Sequence, residues 1–356
     1  MNRSKRHPAF RLGPLKVGAD YLPLIIAEIG INHGGSVAKA KRMVRDAKAA
    51  GAECVKFQVH VIDDEMVPAA RHVIPRNAKE SIWEIMSRCA FSEAQDRQIK
   101  HYVEELGLFY LATPFSRAAA DRLHRMNVRA YKVGSGECNN YPLLHHIASF
   151  GRPIILSTGM NNIASIKKSV AILREHGVPF ALMNCTSMYP TPYDKVHLGA
   201  IAELKRVFPD AVVGQSDHSI GNYTCFAAVA LGAAILEKHF TSDKRWPGPD
   251  IQISLDPGEL HELVEGSRAV HSALKGGKVI LREEQPTIDF AYACVVTIAP
   301  VAKGEQFSKQ NVWVKRPGTG EIRAGDLRRV IGRRATRDLP INSQVRWHDI
   351  SDIRRP

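Results

Sequence analysis

Two short stretches, VGQSDHSIG at residues 213–221 and LEKHF at 236–240, each place a histidine at or just beyond the end of an apolar run. His218 and His239 could be two ligands of one divalent ion, with open positions for water or substrate, used as a Lewis acid. They could equally be unrelated, hydrogen-bonded structural residues, one in a turn and one at a strand end. Other apolar runs also close on polar groups. Glu28 is followed by INHGG, Lys56 and Gln58 share a run, and Thr113 ends the next. Lys132, Ser135 and Glu137 follow, then Ser157 and Thr158, then Asn184, Thr186 and Tyr189. Ser216 and Asp217 precede His218, and Glu237 and Lys238 precede His239.

Lysines inside apolar runs, as at Lys56 and Lys132, are costly to bury unless an opposite charge meets them. Each could pair with a neighbouring glutamate. Two lysines with several hydroxyls at one rim also describe a site for a phosphate or carboxylate.

Eight apolar runs rich in β-branched residues must position these groups: LIIAEIG, CVKFQV, FYLATPF, AYKVGSG, PIILSTG, FALMNCT, AVVGQSD and ILEKHFT. Stretches of helical period separate them, at 37–50, 93–106, 117–125, 141–150, 163–176, 198–208, 222–231 and 257–275. Alternation of this kind, over about 250 residues, predicts a (β/α)8 TIM barrel of parallel strands buried on both faces, with a doubly wound sheet as the alternative. In a barrel the polar residues at the strand ends gather at one rim, where active sites form.

The division expected is an N-terminal extension at 1–20, a catalytic barrel at 21–280, a linker at 281–288 and a small domain at 289–356. In the last segment VVTIAPVAKGEQFSKQNV and RRATRDLPINSQVRWHDI align 38 residues apart, setting Val301 over Leu339, Gly304 over Asn342, Phe307 over Val345 and Val312 over Ile350. This weak repeat suggests a turn-rich unit of short strands.

No apolar run approaches the roughly 20 residues of a membrane span, and no signal-peptide block follows the N-terminus, so the expectation is a cytoplasmic protein without a membrane partner. The six cysteines are scattered, without a C-x-x-C pair or a disulfide framework. Net charge is +13, and residues 315–356 hold eleven Lys/Arg against five Asp/Glu. A polyanion-binding C-terminal module is therefore one reading. The absence of interleaved stacking aromatics and of any nucleic-acid-binding signature argues against nucleic acid.

The stretches IAEIGINHGG, VKFQ, LATPFSRAAA, YKVGSGECNNYPLL, PIILSTGM, CTSMYPTPY, SDHS, LEKHF, PGPD and WVKRPG resemble, in order and spacing, the sialic acid synthases of bacteria. That resemblance implies a barrel followed by an antifreeze-like (SAF) domain. It also implies condensation of phosphoenolpyruvate with an N-acetylated aminosugar, typically N-acetylmannosamine, giving a nine-carbon 2-keto acid and phosphate. A legionaminic acid synthase acting on 2,4-diacetamido-2,4,6-trideoxymannose is the alternative. By motif, Lys56, Thr113, Lys132, Ser135, Ser157, Ser187 and Ser216 match phosphoenolpyruvate-binding positions. His218 and His239 match ligands of a divalent metal, manganese first, with magnesium or cobalt as substitutes.

Gln58, Glu137, Tyr189, Asp250, Phe290 and Arg316 match sugar-contacting positions, the arginine reaching across from the other subunit of a domain-swapped homodimer. Glu28 matches the acidic residue beside the reacting carbons. Two departures stand out. Ser187 replaces an asparagine, and Trp246 precedes PGPD where an arginine is common, so a large ring at the barrel mouth is expected to reshape the sugar pocket. Within the same fold, an aldolase with a Schiff-base lysine at Lys132 is the competing mechanism.

Overall fold

The computed structural model describes residues 7–351. Two compact units divide the chain at Lys275/Gly276.

The first unit opens with an antiparallel hairpin, β1 (Ala9–Leu12) and β2 (Leu15–Gly18). Eight strands follow: β3 (Leu24–Gly30), β4 (Cys54–Val59), β5 (Phe109–Pro114), β6 (Tyr131–Val133), β7 (Ile154–Ser157), β8 (Phe180–Cys185), β9 (Val212–Asp217) and β10 (Ile235–His239). They form one parallel sheet in the order β5-β4-β3-β10-β9-β8-β7-β6. Its end strands β5 and β6 lie against each other, which bends the sheet into the expected barrel.

The principal helices are α1 (Val37–Ala49), α2 (Ile62–Glu65), α3 (Ile82–Cys89), α4 (Glu93–Glu105), α5 (Arg117–Arg125), α6 (Tyr141–Ala148), α7 (Ile163–Glu175), α8 (Gly199–Val207), α9 (Tyr223–Ala230) and α10 (Pro257–Ala273). Side chains of Ser36, Ser92, Ser116, Asn162 and Asp256 accept the first free backbone N–H groups of their helices, so the turn from strand to helix is set by residue type.

Side chains alternate along each strand, and the barrel interior follows from that period of two. Outward residues such as Ile25, Val55, Tyr110 and Leu236 pack beneath the helices. Inward residues such as Ile26, Leu111, Ile155, Met183 and Ile235 fill the half of the barrel near the strand N-termini. Further along, the inward positions become Glu28, Lys56, Thr113, Lys132, Ser157, Ser216 and Glu237, all buried. Apolar below and polar above, one set of strands supplies both core and rim.

The N-terminal extension is more than an appendage. Leu12 and Val17 of the hairpin are fully buried in the same apolar cluster as the inward strand residues, so β1 and β2 floor the barrel. Residues 1–6 of the expected extension and 352–356 of the expected small domain lie outside the described residues.

In the second unit, part of the expected linker is the exposed helix α11 (Gln285–Ala291). Strands β11 (Cys294–Thr297) and β12 (Val312–Lys315) pair antiparallel. The repeat expected from spacing is physical. Gly304 N–H donates to Ala335 O and Asn342 N–H to Thr297 O; Phe307 N–H donates to Arg333 O and Val345 N–H to Val295 O. Each bond recurs 38 residues on with the two halves exchanged, and Val301 and Leu339 bond each other reciprocally. Gly304 and Asn342 share a left-handed turn, at φ +83° and +64°, which glycine and asparagine tolerate best. Val301, Phe307, Val312, Leu339, Val345 and Ile350 close one core.

Candidate active site

At the C-terminal ends of the barrel strands lies a cavity of about 570 Å³. It gathers every site residue expected on the barrel. Glu28 accepts at Oε1 from Gln58 Nε2 (2.8 Å) and pairs there with Lys56 Nζ (2.9 Å); its Oε2 is buried without a hydrogen-bond partner. Lys56 also lies 3.6 Å from Glu237 Oε1 and donates to Thr113 Oγ1 at 3.3 Å. Ser216 Oγ donates to Glu237 Oε1 at 3.4 Å.

Lys132 differs from Lys56. Its Nζ donates to Ser157 Oγ (2.6 Å) and Val133 O (3.0 Å), and no carboxylate of the described residues lies within salt-bridge distance. Ion pairing thus accounts for Lys56, whereas the direct partners of Lys132 are a hydroxyl and a carbonyl. Beyond it, Gly159 N–H donates to Ser135 Oγ at 3.0 Å. A Cβ at Gly159 would meet Ser187 Oγ at 2.5 Å and Ser135 Oγ at 2.8 Å, so glycine keeps two hydroxyls and a backbone amide close together.

Burial acts differently on the charges. It raises the Glu28 carboxyl, assisted by Glu237 and opposed by Lys56. Glu237 is held below the usual carboxylate range because Lys132 and Lys56 outweigh its burial. Burial also lowers Lys132 and pushes Glu137 up to about 7 and Asp250 up to about 6. Two neighbouring carboxyls pushed apart, one toward holding a proton and one toward charge, are what acid–base chemistry requires.

The histidines sit on adjacent strands with ring centroids 5.4 Å apart. His218 Nδ1 lies 2.9 Å from the Thr186 carbonyl, which accepts its N–H and leaves Nε2 as the free nitrogen. His239 Nδ1 is buried without a partner, 3.6 Å from Asp250 Oδ2. Tyr189 stacks on His218 at 4.1 Å. Among the described residues no group of three His, Cys, Asp or Glu is placed to hold an ion by itself. The two imidazoles therefore fit a metal whose remaining ligands come from substrate or water.

Sequence period separates rim from scaffold more finely than strand ends suggest. Asp217 and Lys238 face outward as a buried pair at 3.8 Å, with Asp217 held by Ser219 and Thr224 and Lys238 donating to the Ser219 carbonyl. Thr158 and Asn184 bond backbone carbonyls. Asn32 of the INHGG segment donates to Phe240 O and Ser254 Oγ, and Ser254 donates to Asp250 O; these bonds place the Asp250 loop over the histidines.

Trp246 does not line the cavity. It packs against α1, beneath Lys39 Nζ at 4.7 Å and Arg42 at 5.4 Å from its ring centroid, which corrects the expectation that it reshapes the pocket. Phe290 and Arg316 belong to the second unit and are exposed, while the cavity lining comes from the first unit alone. The apolar wall formed by Pro75, Ile82, Ile85 and Met86 was not anticipated. Ser81 and Glu84 form a capping box at the start of α3, a pattern readable as S-x-x-E in the sequence. Cys185 was also missed; its Sγ lies 3.9 Å from His218 Nδ1.

Residues 43–279 match the NeuB family, and residues 292–351 match the SAF domain. The chain belongs to the NeuB family. Human N-acetylneuraminate-9-phosphate synthase is 41% identical to this NeuB-family chain over 72% of it and 73% of the human protein. The N,N'-diacetyllegionaminic acid synthase of Campylobacter jejuni is 34% identical over 91% of this chain and 98% of its own. Among solved structures, the N-acetylneuraminic acid synthetase of Leptospira borgpetersenii, in complex with citrate, superposes with a TM-score of 0.72 at 31% identity, covering 79% of this chain and 95% of that one. These relatives are nonulosonic acid synthases. No helix among the described residues is long and apolar enough to cross a membrane.

Proposed function

We propose that this protein condenses phosphoenolpyruvate with N-acetylmannosamine and water, yielding N-acetylneuraminate and phosphate. The observation that supports this reading most strongly is the asymmetry of the two rim lysines. Lys132, which has no carboxylate in direct contact, donates to Ser157 and shares the cavity with Ser135 and Ser187, a set that suits a phosphate and a carboxylate. Lys56, bound to Glu28 and Glu237, sets up a carboxyl close to the reacting carbons.

In the proposed reaction the enol carbon of phosphoenolpyruvate attacks the sugar aldehyde, leaving positive charge at the pyruvyl C2. Glu28 stabilises that charge and takes a proton from the water that adds there. Collapse of the tetrahedral intermediate breaks the C–O bond, and Lys132 offsets charge on the departing phosphate. His218 and His239 would hold a divalent ion, manganese first, with magnesium or cobalt as alternatives. When bound, the ion supplies Lewis-acid polarisation of the aldehyde oxygen. Gln58, Glu137, Tyr189 and Asp250 are assigned to the sugar. Phe290 and Arg316 are assigned to closure of the sugar end from a second copy in a domain-swapped homodimer.

Incubation of the purified protein with phosphoenolpyruvate, N-acetylmannosamine and Mn²⁺ should release phosphate and a 2-keto acid in equal amounts. Absence of keto acid with any acetamido sugar would sink the proposal. A second reading, with 2,4-diacetamido-2,4,6-trideoxymannose as substrate, is favoured by the apolar wall of Ile82, Ile85 and Met86, which suits a methyl group better than a hydroxyl. A higher kcat/KM for that sugar would establish it. Borohydride trapping at Lys132 tests the Schiff-base alternative; no trapped adduct is expected.

A further inference from the structure

The hydrogen bonds of Glu28 continue outward. His60, buried just beyond β4, places Nε2 3.2 Å from Gln58 Oε1 and Nδ1 2.8 and 3.1 Å from the two oxygens of Glu65 at the end of α2. Its ring stacks on Phe115 with centroids 4.6 Å apart. Glu65 and Gln58 Oε1 both accept, and of the two ring tautomers the one with its hydrogen on Nε2 donates to Gln58 Oε1.

The Glu28 carboxylate on one side and the Nε2–H form of His60 on the other hold the Gln58 amide one way round. With Oε1 accepting from His60, the amide presents its NH2 group to Glu28, and Nε2 lies 2.8 Å from Glu28 Oε1. The flipped amide would set its NH2 against a ring N–H and its oxygen against a carboxylate, two repulsive contacts in place of two attractive ones. Glu28 Oε1 is then engaged by Gln58 and Lys56 together, and Oε2 is the oxygen left without a partner.

We propose that His60, anchored by Glu65 and Phe115, is a positioning residue for Glu28, acting through the orientation of the Gln58 amide so that Glu28 offers one defined oxygen to substrate. The proposal rests on the reading of Glu28 as the group that handles charge and proton in the condensation. His60 itself touches no reacting atom. Its influence passes through a single amide.

The test is a double-mutant cycle on the full chain. His60→Phe keeps the aromatic stack and removes the donor to Gln58. It should lower kcat about tenfold or more while KM for phosphoenolpyruvate moves less than about threefold. Gln58→Leu should also lower kcat, and the double variant should turn over within about twofold of Gln58→Leu alone, because no amide remains for His60 to orient. Wild-type kcat in His60→Phe, or losses that multiply in the double variant, would overturn the proposal. A crystal structure of His60→Phe provides a readout independent of activity. The amide nitrogen of Gln58 should leave hydrogen-bonding distance of Glu28, and an unmoved amide would refute the idea even if the functional reading failed. Should His60→Phe not fold, His60→Gln keeps a donor to Gln58 and should hold kcat within about threefold of wild type. A larger loss there would count against orientation as the mechanism.

Discussion

Asp250 is buried beside His239, and burial together with the charge of Glu28 pushes its carboxyl up to about 6 from an ordinary 3.8. A raised carboxyl means that the folded protein holds its proton longer than the unfolded chain does, so stability falls as pH rises through the window between about 4 and 6. Above that window the full penalty of burying the charge is present; below it the penalty vanishes. About two pKa units at about 1.4 kcal/mol each gives roughly 3 kcal/mol at pH 8. For a unit of 275 residues and an unfolding entropy of about 2.1 cal/mol/K per residue, that is about 5 °C in Tm.

Asp250→Asn has nearly the same shape and no charge to bury. In excess chelator the variant should therefore melt about 5 °C above wild type at pH 8, with the gap closing toward pH 4.5. Calorimetric melts across that range measure it. Equal Tm values at pH 8, or a gap independent of pH, would refute the view that this carboxylate is held against the stability of the fold. Mn²⁺ should reverse the order, raising the wild type more than the variant.

Three further outcomes follow from the site. Lys132→Met should raise KM for phosphoenolpyruvate about a hundredfold in steady-state assays with little change in Tm, because it removes a buried cation that has no carboxylate in direct contact. His218→Ala and His239→Ala should each abolish Mn²⁺ binding in titration calorimetry while circular dichroism stays unchanged; retained binding in either would return that histidine to a structural role. The acid limb of kcat/KM in Mn²⁺ should fall below pH 6, because the ion favours the ionised Asp250 carboxyl, and Asp250→Asn should flatten it.

The eight strands were legible because a parallel sheet is buried on both faces, so each strand reads as an apolar run closed by a polar residue. Site residues on those strands were legible for the same reason: Lys56, Lys132, His218 and His239 break apolar runs where the rim must be. The sequence could not distinguish ion pair from anion site at the lysines. The structure pairs Lys56 with carboxylates, because it lies across the sheet from Glu28 and near Glu237, and leaves Lys132 with a hydroxyl and a carbonyl. Asp217 and Lys238 looked like rim residues by proximity, but the strand period turns them outward. The hairpin at 9–18 and the helix at 82–89 escaped notice because each is too short to establish a period. In the helix, the Ser81–Glu84 cap was the signal available. Trp246 was misplaced because its partners, Lys39 and Arg42, are distant in sequence and meet it only once the barrel closes.

The proposed reaction is condensation with cleavage of the C–O bond of phosphoenolpyruvate. Phosphoenolpyruvate carrying a heavy oxygen isotope at its bridging position, incubated with N-acetylmannosamine, Mn²⁺ and the protein, tests it most directly by mass spectrometry of both products. All the label should leave with phosphate, and the keto acid should carry oxygen from water at C2. Label retained in the keto acid, or no keto acid from either acetamido sugar, would contradict it.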